Sequence, residues 1–250
     1  MKILSSIINS IKEDSPVQEV RRGLHWTAVV SRKCGLASTM AQGRCSHDNS
    51  DMPLTDMTAL ELAALCDDKN TEKASIGIAA INSLLKIDPE QHSDADGLKI
   101  ISEMGKDKNI SVIGHFPNVA ALAKEAKNLW IIEKNPIEGD LPEEEGKKFI
   151  PKSDIVVITS TTLINKTLEG ILELCRPDSV KMLLGPSTPL SDVIFDYGID
   201  LLSGSVVTET ETVLKSVSEG VSFRQLKKRG GIRFVTMVKD YNSIFSKLAE

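Results

Sequence analysis

A chain of 250 residues, 41% hydrophobic and 26% charged, has the apolar content of a globular protein of one large or two ordinary domains and not that of a disordered one. Its formal net charge of -5 and isoelectric point near 5.5 argue against nucleic acid as the main partner, because phosphate binding needs a concentrated basic face. No run approaches the roughly 18 apolar residues of a membrane span, and four cysteines without CxxC spacing read as reduced thiols of a cytoplasmic protein.

The opening segment, Met1 to Asp14, predicts an amphipathic helix, with Ile3, Ile7, Ile8 and Ile11 at helical spacing and Ser15-Pro16 closing it. Its apolar stretch is too short, and too soon interrupted by Lys12, to be a signal peptide. From Val17 to Val30 apolar residues recur at even positions, the period of a half-buried strand, and Cys34 to Ala41 would return as a second, antiparallel one. Two helices follow: Thr58 and Glu61 form a capping-box pattern, and Lys73 to Leu85 is Ala/Gly-rich enough for close backbone packing. Cys45 and His47 lie two residues apart on a polar stretch; two donors fall short of a closed tetrahedral metal set, so a surface loop is the preferred reading. Residues 1–100 thus form a small α+β domain, ended by Asp88-Pro89 and a polar connection.

Residues 101–250 have a different rhythm. Short apolar runs at Ile110–Gly114, Leu129–Ile132, Asp154–Thr159, Lys181–Gly185 and Leu201–Val207 alternate with helix-like stretches, the pattern of a parallel sheet covered on both faces. Pro117 and Pro189 read as first-turn prolines, Thr208 with Glu211 as a capping box, and Ile232–Val238 as an edge strand before a closing helix. The fold class is α/β. Ligands of such sheets bind outside the carboxyl ends of the strands, which directs attention to the loops after Gly114, Glu133, Thr159, Gly185 and Gly204.

The first of these, Gly114-His-Phe-Pro117, lacks the GxGxxG spacing of a dinucleotide fold, and His115 and Phe116 fill positions where a pyrophosphate needs bare backbone. His115 can instead ligate a metal, move a proton or bond an anion. Glu133, Glu138 and Asp140 supply carboxylates nearby, of the kind hard and borderline metals prefer. The hydroxyl-rich turns Thr159–Asn165 and Gly185–Pro189, with Thr161, Asn165, Ser187 and Thr188, offer donors for a small carboxylate or phosphate. Cys66 and Cys175, in apolar helical stretches, read as core.

Six ordered blocks then carry a family resemblance: Lys33–Thr39, Ala74–Asn82, Gly114–Pro117, Glu138–Pro142, Thr159–Asn165 and Gly185–Leu190. The chain resembles the heavy-metal chelation family of bacteria and archaea over nearly its whole length. That resemblance implies an enolase amino-terminal-like domain joined to a Rossmann-like domain, with the active site in the cleft between them. It sets Cys34, Gly35 and Ser38 opposite His115, Glu133, Asp140, Thr161, Asn165 and Ser187, with Asn82 either at the domain contact or capping its helix. Ser160 departs from the pattern, which leads one to expect glycine there; the change would narrow the pocket if that backbone needs a positive φ.

Together these readings predict a protein that binds a divalent transition metal, or a small metal-chelating metabolite, in the cleft. His115 and Asp140 would be metal ligands, with Cys34 or Glu133 adding to the set. Cys34, Ser38, Glu133, Thr159, Thr161, Asn165, Gly185, Ser187 and Thr188 would contact the ligand, a small anion or metal ion, with no nucleic acid or membrane partner. The alternative is an enzyme using a nucleotide or S-adenosylmethionine-like cofactor on the parallel sheet, with Glu133 on a ribose and His115 as acid or base.

Overall fold

The computed structural model describes residues 1–41, 52–88, 90, 92–117 and 119–249; Cys45 and His47 lie outside them. The elements, in chain order, are α1 (Lys2–Ser10), β1 (Glu19–Arg22), β2 (Trp26–Val30), β3 (Cys34–Ser38), α2 (Ala59–Ala64), α3 (Thr71–Leu84), α4 (Gly97–Met104), β4 (Asn109–Ile113), β5 (Asn128–Glu133), β6 (Leu141–Pro142), α5 (Gly146–Phe149), β7 (Ile155–Thr159), α6 (Thr161–Ile164), α7 (Leu168–Leu174), β8 (Val180–Leu184), β9 (Leu201–Val207), α8 (Thr210–Ser218), α9 (Phe223–Arg229), β10 (Ile232–Val238) and α10 (Tyr241–Ala249). Among these, no helix is long and apolar enough to cross a membrane.

Two sheets organise them. β1-β2-β3 is an antiparallel meander; β10-β9-β8-β7-β4-β5-β6 is parallel throughout except for the antiparallel edge strand β10. The α/β class expected from the strand rhythm is the class found. Because side chains alternate across a strand, the large sheet has two apolar faces. Ile110, Val112, Ile155, Val157, Val180 and Met182 pack with Ile101 of α4 and Ile244 of α10. Val156, Ile158, Leu183 and Leu202 belong to the opposite cluster, which also takes in Ile3 and Ile7 of α1 and Ile78 and Ile81 of α3.

The halves interlock further. The outer face of the meander, with Trp26, Ala28, Cys34 and Leu36, is covered by Val213, Leu214 and Val217 of α8 and Leu226 of α9. The Trp26 indole N–H donates to the carbonyl of Val221 at 2.8 Å, which satisfies the one polar atom of a side chain that is 5% exposed.

Several local readings change in the folded chain. The even-position alternation over 17–30 is not one strand but two, broken at Gly23, where a Cβ would stand 2.1 Å from the Val217 carbonyl oxygen and so let no other residue pass α8. The Thr58/Glu61 capping box forms in full. The Thr208/Glu211 box does not: the N–H groups of Thr208 and Glu209 both bond the Gly231 carbonyl, which holds that stretch beside β10 and delays α8 to Thr210. Pro189 opens no helix, because Leu190 is drawn into the shared core at 4% exposure and helical turns begin only at Asp192.

Candidate functional site

In the large sheet the chain runs outward from β4 in both directions, to β5 on one side and to β7 on the other. A crevice opens where neighbouring connections leave in opposite directions, so the loops after β4 and β7 flank it. Gly114, at φ +102°, begins the first of these loops; a Cβ there would meet the Thr159 side chain at 3.0 Å, so the two loops touch at their bases.

His115 stands just beyond. Its Nδ1 lies 3.1 Å from Asp140 Oδ2 and 3.2 Å from Oδ1, and its backbone N–H donates to Glu133 Oε2 at 3.1 Å. The Asp140 side chain is only 2% exposed and its Oδ2 also accepts from the Ile137 N–H, whereas the imidazole is 41% exposed. Gly139, at φ +93°, makes the reversal that returns Asp140 to the imidazole. Glu133 is held mainly by backbone: besides His115 it accepts from the N–H groups of Lys134 and Asn135. It shapes the loop, and three of its roughly four acceptor sites are already used there. The structure therefore brings His115, Glu133 and Asp140 together, but with both carboxylates turned onto the loop and the imidazole Nε2 without a hydrogen bond among the described residues. No group of three His, Cys, Asp or Glu side chains among those residues is arranged to hold a metal ion.

The hydroxyl-rich loops are largely self-satisfied. Thr159 and Thr161 share a hydrogen bond of 3.0 Å between hydroxyls, the Thr162 hydroxyl donates to the Thr159 carbonyl, and Asn165 Oδ1 accepts from the N–H and hydroxyl of Thr167 at the start of α7. Ser160 sits at φ -65°, an ordinary helical value, so the departure from glycine costs no backbone strain there. Its hydroxyl would lie 2.6 Å from a Cβ on Gly185, which itself has φ +137°. Only glycine closes that turn.

Ser187 forms the bridge between the two sheets. Its hydroxyl accepts from the Ser38 N–H at 2.8 Å and donates to the Ser38 hydroxyl at 3.2 Å, while Asn82 Nδ2 donates to the carbonyls of Leu36 and Ser187. Asn82 thus binds the contact between the halves and does not cap α3, whose capping residue is Leu85. This bridge follows β8 and His115 follows β4, two strands apart in the sheet, so both lie along the same carboxyl rim.

Cys34 is placed elsewhere, in the apolar cluster under α8. Burial pushes its thiol up to about 12, with Glu19 adding to the effect, so it is a neutral thiol and a poor metal ligand. The residue that sequence reasoning passed over is its neighbour Lys33, whose ammonium is pushed down to about 8 by burial and by Arg32. Among the described residues it has no carboxylate partner. The only signal was its place in the first block of the family resemblance.

Two family profiles, both described as "Putative heavy-metal chelation", match residues 4–85 and 96–236. A crystal structure of a protein with unknown function from Desulfitobacterium hafniense is 29% identical, with a TM-score of 0.80 over 95% of this chain and 98% of that one. Another from Pyrococcus horikoshii, 20% identical, has a TM-score of 0.82 over 94% and 99% of the two chains. An uncharacterized protein of Methanocaldococcus jannaschii is 22% identical over 239 residues, 90% of this chain and 92% of that one.

Proposed function

We propose, because the chain belongs to the family described as "Putative heavy-metal chelation", that it binds a divalent transition or heavy-metal ion as cargo, complexed by a small anionic chelator. The complex would sit at the carboxyl rim of the parallel sheet, between residues 1–100 and 101–250 taken as two domains. The observation that carries this reading is the His115–Asp140 pair. A carboxylate that is 2% exposed fixes Nδ1 and leaves Nε2 toward solvent, the arrangement in which a second-shell acid orients a metal-binding imidazole. Imidazole suits zinc, copper, iron and nickel. Asp140 acts in this reading through the histidine and not as a ligand.

A single imidazole does not complete a coordination shell, so the other positions fall to the chelator. Its anionic groups would approach Thr159 and Thr161, which are half-buried on the adjoining loop. The cofactor-using enzyme is less well supported, since three of the roughly four acceptor sites of Glu133 already take backbone N–H groups.

Metal content of untagged protein, measured by inductively coupled plasma mass spectrometry with and without added zinc, nickel, cobalt or iron, tests the reading. Near-stoichiometric metal is expected in the wild type and none in His115→Ala. Asp140→Asn should weaken retention by about 10- to 100-fold, the usual effect of losing an orienting acid. Wild-type protein that neither carries nor takes up any of these ions, alone or with citrate as chelator, would refute it.

A further inference from the structure

A narrow slot between the β2–β3 hairpin and the loop after β8 gathers two unmet polar demands. It is lined by Lys33 and Asn82 on one side and by Thr188 and Ser205 on the other, with apolar walls from residues such as Leu36 and Leu190. Thr188 is 1% exposed, and its hydroxyl has no hydrogen-bond partner among the described residues. Native proteins seldom leave a buried hydroxyl unpaired, and each exception asks for an explanation. The half-buried Lys33, whose ammonium has no carboxylate partner among the described residues, is a second unmet demand, since a desolvated charge is costly unless paired. One group with two acceptor oxygens would answer both.

We propose that this slot is a receptor for the carboxylate of a small molecule, with Lys33 as the cation and the Thr188 hydroxyl as a donor. The inference rests on the reading above only in taking the ligand to be small and anionic; it assigns a second contact point and uses neither His115 nor Asp140. Shape selects the carboxylate. The slot holds only about 10 Å³, the space of one water-sized group, so it admits a single oxygen of a flat carboxylate, whose second oxygen and stem stay at the mouth, and leaves no room for the tetrahedral head of a phosphate. The rest of the molecule has somewhere to go. Leu85, Ile87 and Leu190 also line an adjoining groove of about 330 Å³, which lies within the size range of small-molecule sites; its rim is mixed in charge, with Lys12, Arg32 and Lys86 beside Glu13, Asp88 and Asp192, and Glu13 is already paired with Arg32 and Lys86. The lowered proton affinity of Lys33 agrees with an ammonium that lacks its anion.

The test is competitive labelling. Full-length protein in metal-free buffer at pH 8 is acetylated with acetic anhydride, and each lysine is followed by peptide mass spectrometry in the presence of oxalate, glutarate or citrate. With its ammonium at about 8, Lys33 should react readily, since about half is free amine against under about 1% for an ordinary lysine. At least one carboxylate should slow Lys33 severalfold and leave the exposed Lys99 unchanged. The protection should persist in His115→Ala and disappear in Thr188→Val. That variant is expected to fold, because removing a hydroxyl with no partner breaks no hydrogen bond. No protection by any of the three, equal protection by sodium chloride or inorganic phosphate, or protection retained in Thr188→Val would overturn the proposal. Protection lost in His115→Ala would also overturn it, by moving the carboxylate to the imidazole. Failure of metal retention leaves this result untouched, so the two readings fail separately.

Discussion

Replacing Gly35 by alanine should be among the most damaging single-methyl changes in the chain. An added Cβ would lie 2.1 Å from the Ala79 carbonyl oxygen, 2.3 Å from the Ser83 nitrogen and 2.8 Å from the Asn82 carbonyl carbon. All three are backbone atoms of α3, so no side chain can swing aside, and β3 must back away by about 1 Å from the helix it packs on. Overpacking of this kind costs about 1–3 kcal/mol, and more where the neighbours cannot yield. A Gly→Ala change without a clash would instead stabilise by about 0.4–1 kcal/mol through the unfolded chain, so even the sign is diagnostic. With roughly 2–4 °C lost per kcal/mol at this chain length, the expected fall in Tm is about 6–12 °C for a loss near 3 kcal/mol. Gly170 in α7 supplies the control, since nothing lies within 4 Å of its added Cβ; Gly170→Ala should raise stability by about 0.5–1 kcal/mol. Both are read from thermal melts and urea midpoints. A Gly35→Ala protein melting within about 2 °C of wild type would refute the claim that β3 and α3 meet backbone to backbone. The consequence reaches the site, because β3 and α3 carry Ser38 and Asn82 onto Ser187.

Asp200, 4% exposed, accepts from Lys247 at 2.7 and 2.9 Å and from the Lys181 N–H; Asp200→Ala strands a partly buried ammonium and should cost about 3 kcal/mol and loosen α10, read by urea denaturation and by proteolysis of the carboxyl terminus. Alkaline pH should destabilise the fold through its buried thiols. Cys34 and Cys66 are pushed up to about 12 and Cys175 to about 11 by burial, so above the ordinary value of 9.0 the unfolded thiols ionise while the native ones stay neutral, and stability falls as pH rises toward 12. Lys33, pushed down to about 8, acts in the opposite sense between 8 and 10.5, so urea midpoints should fall most steeply above about pH 10.5; midpoints flat to pH 12 would refute the burial of these groups.

Five strands of the parallel sheet, β4, β5, β7, β8 and β9, were legible because they are largely apolar on both faces, a pattern that survives any tertiary context, whereas the two-residue β6, Leu141–Pro142, reads in sequence as part of a loop. Ile155 and Val157 serve one cluster, Val156 and Ile158 the other, and the sequence shows this as an uninterrupted run. The meander was only half legible. Glu19 to Val30 alternates correctly, but the break at Gly23 follows from α8, nearly 200 residues away, and no local signal announces it. The same long-range cause defeated the Thr208 cap, whose backbone belongs to a pairing with Gly231 that only the finished sheet reveals.

The site was legible as a place more than as a set of roles. His115 and Asp140, 25 residues apart, are read from the sequence as ligands of one metal, and their side chains do lie 3.1 Å apart, because a loop with Gly139 can return an acid to the preceding strand end. What the sequence could not display is direction. An acid facing a backbone N–H and an acid facing a metal have the same letter, and Glu133 proved to be the former. Hydroxyls mislead in the same way: Thr162 donates to the Thr159 carbonyl and Ser187 to Ser38, while Thr159 and Thr161 share one hydrogen bond, which leaves that pair a single O–H to offer a ligand. Thr188, the hydroxyl left over, is the one whose burial leaves a demand that the protein does not meet. A polar group already satisfied gains little from a ligand, whereas an unsatisfied one gains a full hydrogen bond. The residues on which binding energy can be spent are therefore the ones the fold leaves wanting, here His115 Nε2, Lys33 and Thr188; the sequence names His115 and Thr188 as candidates, whereas Lys33 carries its significance only in the assembled structure.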